Sequence, residues 1–380
     1  MNAPARIHMQ SVAKKFADRI AVYPLDLSVA KGEFLVLLGP SGCGKTTTLR
    51  MMAGLEAPSQ GAVHFNGKDV TRLRAGERDI AFVFQMFSLY PHLNVRDNVA
   101  FTLRAQGMPP REAGRQASDI LLRLGLESLA NFHPEHLAGG DQQRVGLARA
   151  LVRRPQAFLM DEPLGTLDGD LRGEMRETLR ANHNQAGATT VFVTHDQEEA
   201  MSLADRIAVM RDGRVVQCDH PRNLYDNPAD LFTAGFVGSP GMNLIRASRT
   251  GEWAAMEGLD LVLRVGEDAE ADDIAQLAGA AAAASPEAGF WLGVRPENVL
   301  LSESGAPCVV DQTLVLGTHN LLSLRAGGGF LKAWLPAGVR FREGETVRVS
   351  FLTSGCRWFG GPGGLALPWR TLEAACRPTR

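Results

Sequence analysis

No apolar run in the 380-residue chain approaches the length of a bilayer span, so the sequence offers no transmembrane helix of its own. The longest alanine tract, Gly279 to Ala284, is small-residue filler. Charge of one sign is missing too: 40 Lys plus Arg stand against 42 Asp plus Glu, a formal charge of −2, which argues against a nucleic-acid partner. Cysteine is scarce and scattered. Cys43, Cys218, Cys308, Cys356 and Cys376 are odd in number and form no CxxC pair, which indicates neither a disulfide framework nor a zinc site. Met1 to Gln10 contains no apolar h-region, so no secretory signal is expected and the default location is the cytosol. What is present is an ordinary globular composition, 45% hydrophobic and 22% charged. At roughly 100 to 200 residues per domain, the length accommodates two or three domains with cores of their own.

Up to about Phe236 short apolar runs alternate with amphipathic stretches, the pattern of a mostly parallel α/β sheet. Phe34 to Leu38, Ile80 to Phe84, Ala157 to Met160 and Thr190 to Val193 read as buried strands. Leu171, Met175 and Leu179 form one helical stripe; Val145, Ala148, Leu151 and Val152 form another. Arg206 to Met210 and Arg214 to Cys218 flank Asp212-Gly213, the signal for a tight hairpin at the sheet edge. After Ser239-Pro240-Gly241 the texture changes to short strand-like runs between Gly-rich turns, among them Leu261 to Val265, Phe290 to Val294, Leu314 to Leu316 and Val347 to Phe351. That pattern suggests a small β-barrel or sandwich from residue 237 to 380. The tract Ala275 to Ser285 reads as a loop or short helix inside it.

Three strand ends carry chemistry. Gly39-Pro40-Ser41-Gly42-Cys43-Gly44-Lys45-Thr46 matches G-x-x-x-x-G-K-[ST], directly after the strand Phe34 to Leu38 and before a helix expected from Thr47. Such a loop curls backbone N–H groups around a β-phosphate, with Lys45 supplying charge and the Thr46 hydroxyl available to Mg²⁺. Cys43 reads as a backbone donor there rather than a nucleophile, since no base or resolving thiol is in view. The strand Phe158-Leu159-Met160 ends in Asp161-Glu162, with Asp161 placed to hold the metal through water and Glu162 to take a proton from attacking water. His195 closes a further strand, where it suits a γ-phosphate sensor.

This succession resembles the nucleotide-binding subunits of ABC transporters. Val83-Phe84-Gln85 with Ser88 to His92 resembles the family's Q-loop, Leu137 to Val145 its LSGGQ signature, Asp161 to Asp168 the Walker B carboxylates and D-loop, and Thr194 to Met201 the switch-histidine segment. The resemblance covers roughly the first 240 residues. It implies an α/β P-loop NTPase (ABC ATPase) domain over 1–236, with a helical subdomain within 86–155 that receives a permease helix. An all-β OB-like (TOBE) module for dimerisation and regulation follows, as in importers of the maltose and glycerol-3-phosphate type; Gly235 to Asn243 and Gly293-Val294-Arg295-Pro296-Glu297 carry that part of the likeness. The same resemblance implies ATP and Mg²⁺ as ligands. Phe16, just ahead of the first strands, would stack on adenine, and Thr47 would join the phosphate cradle. Gln85 would ligate the metal together with Thr46 and Asp161. ATP bound to one subunit would be capped by Ala138, Gly139, Gly140 and Asp141 of a second, with Asp168 at the same junction. Implied partners are two permease subunits, a second ATPase subunit and, indirectly, an external solute-binding protein, at the cytoplasmic face of the membrane.

Two departures matter. Ala138 stands where the family has serine, so a hydroxyl meant for the partner's γ-phosphate is missing. A hydrogen bond to a charged group is worth about 1.5 to 3 kcal/mol, enough to slow turnover roughly tenfold. Asp141 replaces glutamine; it suits a helix start but opposes the nucleotide's charge. The D-loop is altered as well, with Gly165-Thr166 before Leu167-Asp168. A mixed pair of ATPases with one weakened site is therefore an alternative to a homodimer. A carbohydrate is the favoured solute, with a polyol or glycerol phosphate next, and polyamine or ferric iron as further alternatives. A soluble ABC protein acting on ribosomes or DNA, and a module that only holds ATP, are the competing classes.

Overall fold

The computed structural model describes residues 5–85, 88–153, 155–250, 252–267, 290–326, 329–361 and 363–376. The tract Ala275 to Ser285 lies outside these residues. Contacts divide the chain into two compact units, Met1–Pro221 and Arg222–Arg380, so the division falls earlier than the junction expected at residue 237.

The first unit opens with two long strands, β1 (Ala5–Phe16) and β2 (Arg19–Ala30), then β3 (Phe34–Leu38), α1 (Lys45–Ala53), β4 (Gln60–Phe65), β5 (Lys68–Asp69) and β6 (Ile80–Val83). The helical insertion follows as α2 (Val95–Ala105), α3 (Pro110–Arg123) and α4 (Gly139–Leu151). Then come β7 (Ala157–Asp161), α5 (Gly169–Ala186), β8 (Thr189–Thr194), α6 (Gln197–Leu203), β9 (Arg206–Arg211) and β10 (Arg214–Asp219). One sheet is antiparallel, in the order β2-β1-β4-β5; the other runs β10-β9-β3-β8-β7-β6, parallel except for its β9–β10 edge hairpin. Leu35, Leu37, Leu159, Val191 and Ala208 of the parallel sheet share a core with Met51 and Met52 of α1 and with Ile7, Met9 and Val63 of the antiparallel sheet. Every residue of β3, β7 and β8 is buried, as continuous apolar strands covered on both faces must be.

Phe16 does not precede the first strands; it ends β1. The alternation that marks a half-buried strand is broken there, because Ser11 at φ 45 forms a bulge and shifts the register between Met9 and Val12. The buried residues Ile7, Met9 and Val12 are therefore spaced by two and then by three. Helix α1 also starts two residues before Thr47, at Lys45.

In the second unit, α7 (Pro221–Asp226) and α8 (Leu231–Phe236) lead into β11 (Asn243–Thr250), β12 (Trp253–Met256), β13 (Leu261–Glu267) and β14 (Phe290–Val294). These are followed by β15 (Val299–Val315), β16 (His319–Ala326), β17 (Gly329–Pro336), β18 (Thr346–Phe351), β19 (Cys356–Gly360), β20 (Leu365–Leu367) and β21 (Trp369–Cys376). Among the described residues they form two antiparallel sheets, β20-β19-β14-β11-β12-β13-β21 and β17-β16-β15-β18, around a core that includes Trp358, Leu292 and Val349. This is an all-β, OB-like module. Arg295 explains why α8 belongs to it: its buried guanidinium donates to the carbonyls of Tyr225, Ala234 and Val237 and lies 3.9 Å from the centre of the Tyr225 ring. Tyr225 in turn donates to Glu297 at 2.8 Å.

Candidate functional site

Parallel strands end together, and open α/β sheets bind ligands beyond their carboxyl ends. The phosphate loop follows β3, Asp161 ends β7, Gln85 stands two residues after β6 and His195 one residue after β8. The loop's glycines are required by space as well as by torsion. A Cβ on Gly39 would strike the Met210 carbonyl oxygen, while Gly44, at φ 102, would place one 2.8 Å from the Ala21 oxygen. Helix α1 begins immediately after Gly44 with no side-chain cap, which leaves its first N–H groups for an anion. Thr47 sits in this first turn, and Pro40, Ser41 and Gly42 are exposed on the loop.

Lys45 is only 5% exposed, and its Nζ donates to the carbonyls of Gly39 at 2.7 Å and Pro40 at 2.9 Å. The loop thus fixes one positive charge inside its own curl. Cys43 is buried and its thiol is pushed up by desolvation, against the pull of Lys45, so it is no thiolate nucleophile.

Thr46 Oγ1 donates to Asp161 Oδ1 at 2.9 Å. Burial raises the Asp161 carboxyl, with the Thr46 hydrogen bond opposing. A cation beside it would oppose that shift and favour the ionised form. The oxygens of Thr46 and Asp161 are hard donors that suit Mg²⁺, and among the described residues no cluster of three or more His, Cys, Asp or Glu is placed to cage a metal. Phosphate and water oxygens would complete the coordination, as is usual for Mg²⁺.

Glu162 and His195 are brought together. Glu162 Oε2 lies 3.3 Å from His195 Nδ1 and accepts from Gln85 Nε2 at 3.4 Å. The structure therefore sets the Gln85 amide group beside Glu162. Glu162 has φ 46, a left-handed conformation that costs a non-glycine residue of order 1 to 3 kcal/mol and turns its side chain out of the strand direction. His195, with 59% of its side chain exposed, is followed by Asp196, which caps α6 through the amides of Glu198 and Glu199.

At the signature, Ala138 is the N-cap of α4 and provides no side-chain hydrogen bond. Gly139 and Gly140 open the helix. The Asp141 carboxylate is paired with Arg144 one turn later, which offsets the charge expected to oppose a nucleotide. Asp168 caps α5 through the Leu171 amide at 2.9 Å. Phe16 is 45% exposed, with Lys14 Nζ 4.8 Å from its ring centre, so its ring is presented to solvent.

The residue that sequence reasoning passed over is Gln143. It is 4% exposed on α4; its Oε1 accepts from the Thr166 amide at 3.2 Å and from the Thr166 hydroxyl, and its Nε2 donates to the Glu162 carbonyl at 3.4 Å. One buried amide group thus joins the signature helix, the D-loop and the strained peptide of Glu162. The only hint in sequence is its place inside the Leu137 to Val145 run. Gln143→Ala is expected to lower kcat for ATP about ten- to a hundredfold, since small displacements of a catalytic group are costly, with KM within about twofold. A raised KM at unchanged kcat would show that Gln143 serves binding instead.

The family model described as ABC transporter matches residues 22–165, and the one described as TOBE domain matches residues 292–359. The xylose/arabinose import ATP-binding protein of Haloferax volcanii is 41% identical over 97% of this chain and 97% of its own length. The trehalose/maltose import ATP-binding protein of Thermococcus litoralis is 41% identical over 91% of this chain and 95% of its own. Among solved structures, a dimeric ATP-binding cassette in a post-hydrolysis state with ADP and Pi aligns with a TM-score of 0.53 at 34% identity, over 57% of this chain and 99% of that one.

Proposed function

This chain belongs to the ABC transporter family, as an ATP-hydrolysing importer subunit with a C-terminal TOBE domain, and from that premise we propose how its residues work and what it helps to move. The phosphate loop and Lys45 hold the β- and γ-phosphates, and Phe16 stacks on the adenine. Thr46, Asp161 and Gln85 would hold Mg²⁺, which when bound offsets charge developing on the transferred phosphoryl group. Glu162 accepts the proton of the attacking water, while His195 orients that carboxylate and reads the γ-phosphate. The observation that carries this reading is the Glu162–His195 contact of 3.3 Å at adjacent strand ends beside the phosphate loop.

Two such subunits close head to tail, so that Ala138 to Asp141 of one meet the nucleotide on the other. The relatives are named as import ATP-binding proteins, which supports assigning the pore to permease partners and this subunit to the cytoplasmic face; among the described residues no helix is long and apolar enough to cross a membrane. A carbohydrate is the proposed solute, supported by relatives named for xylose/arabinose and trehalose/maltose import. Reconstitution with candidate permeases and binding protein tests this choice: sugar-stimulated ATPase supports it, and stimulation by polyamine or ferric iron alone contradicts it.

Ala138→Ser examines the signature. A serine N-cap is expected to stabilise α4 by about 0.5 to 2 kcal/mol and to return a hydroxyl to the partner's γ-phosphate. In a homodimer this should raise ATPase up to about tenfold. A higher thermal midpoint with no gain in rate would show that the missing hydroxyl does not limit turnover.

A further inference from the structure

The amino-terminal ends of the same parallel strands border a cavity of about 540 Å³ that the ATPase site does not use. Its wall runs from Lys31 and Phe34 at the start of β3, through Gln156 and Phe158 at β7, to Thr189 and Thr190 at β8. The cavity reaches Phe158 and Met160 on one face of β7, whereas Asp161, the next residue, points to the opposite face, because successive side chains of a strand alternate. Its volume falls within the range of small-molecule sites, about 300 to 1,000 Å³.

The lining is unusual in charge. Arg6, Lys31, Arg123 and Arg153 contribute four cations and no Asp or Glu lines the cavity, although carboxylates slightly outnumber cations in the whole chain. Among the described residues Arg6, Lys31 and Arg123 form no ion pair: Arg6 donates to Asn66 and to the Gln156 carbonyl, and Arg123 to Gln185 at 3.4 Å. Arg153 donates through Nη1 to the Ile80 carbonyl at 3.1 Å, its ion pair with Asp79 is long at 3.9 Å, and its buried Nε has no hydrogen-bond partner. Uncompensated guanidinium groups beside Phe34, Phe158 and Leu151 match a ligand with negative charge at one end and an apolar body at the other. His183 is not a free group for that ligand, because its Nδ1 pairs with Thr190 Oγ1 at 3.0 Å.

We propose that this cavity is a second ligand site, which takes a small organic anion with a phosphate or carboxylate on an apolar ring and is separate from the ATP site. Its walls come from α3 and α4 on one side and from α5 and the parallel sheet on the other, with Arg123 and Gln185 joining α3 to α5. A bound anion would therefore touch both the helical insertion and the ATPase core.

The test is calorimetric titration of the full-length protein with 1-naphthyl phosphate in saturating MgADP, which fills the phosphate loop. The expected result is one site per chain, with 1-naphthol at least tenfold weaker and binding weakened at least tenfold in Lys31→Glu/Arg123→Glu. Both substituted side chains are exposed, so an unchanged thermal midpoint separates lost binding from lost folding. A further tenfold rise in MgADP should leave the affinity for the probe unchanged. Absence of binding in the wild type, equal affinity in the double variant, or displacement of the probe by added MgADP would each overturn the proposal.

Discussion

Glu162→Gln is expected to lower ATP turnover by about 10² to 10⁴-fold, the usual contribution of a general base, while MgATP still binds. Glutamine preserves shape and the hydrogen bonds to Gln85 and His195 but cannot take a proton at the working pH. The amide's position should survive as well, because Glu162 is fixed through its main chain: its N–H donates to the Val193 carbonyl at 3.0 Å and its carbonyl accepts from Gln143. Single-turnover phosphate release with separate equilibrium binding of MgATP distinguishes the two effects. Turnover within threefold of the wild type would remove Glu162 from the catalytic role.

Lys45→Ala should have the opposite signature, with binding lost first. Removing a charged donor from phosphate costs about 1.5 to 3 kcal/mol, which corresponds to a roughly ten- to hundredfold higher Kd for MgATP. The loop suffers separately, because the buried carbonyl of Gly39 loses its donor. Lys45→Arg should not rescue binding. A planar guanidinium fork does not fit a site shaped for a compact ammonium that is 5% exposed. Nucleotide titration by intrinsic fluorescence gives the answer, and an unchanged Kd in Lys45→Ala would contradict the assignment of the phosphate loop.

The candidate site residues were legible because they sit where chemistry forces an unusual pattern. Carboxylates at the end of an apolar strand and glycines before Gly44-Lys45-Thr46 are hard to explain by packing alone. Buried parallel strands were legible for the same reason, being short continuous apolar runs, and the Asp212-Gly213 turn announced the edge hairpin. The antiparallel sheet was not, since the bulge at Ser11 destroys the alternation on which recognition depends. The left-handed turn of Glu162 has no local signature either: glutamate does not favour positive φ, and only the surrounding bonds impose it. Gln143 escaped for a related reason, because its meaning lies in contacts with Thr166 and Glu162, about twenty residues away in the chain. Asp141 shows the converse: its repulsive charge was visible in sequence, whereas the compensating Arg144 required the helix to bring the two together.

The central claim is that ATP hydrolysis at Glu162 drives solute through a pore formed by other chains. It is tested most directly by sugar uptake into vesicles that contain the reconstituted permease pair, this subunit and MgATP at its face, with external binding protein present. Uptake should rise with ATP consumed and fall to background in the Glu162→Gln complex, even though that complex still binds MgATP. Sugar accumulation by the Glu162→Gln complex at the wild-type rate would contradict the account.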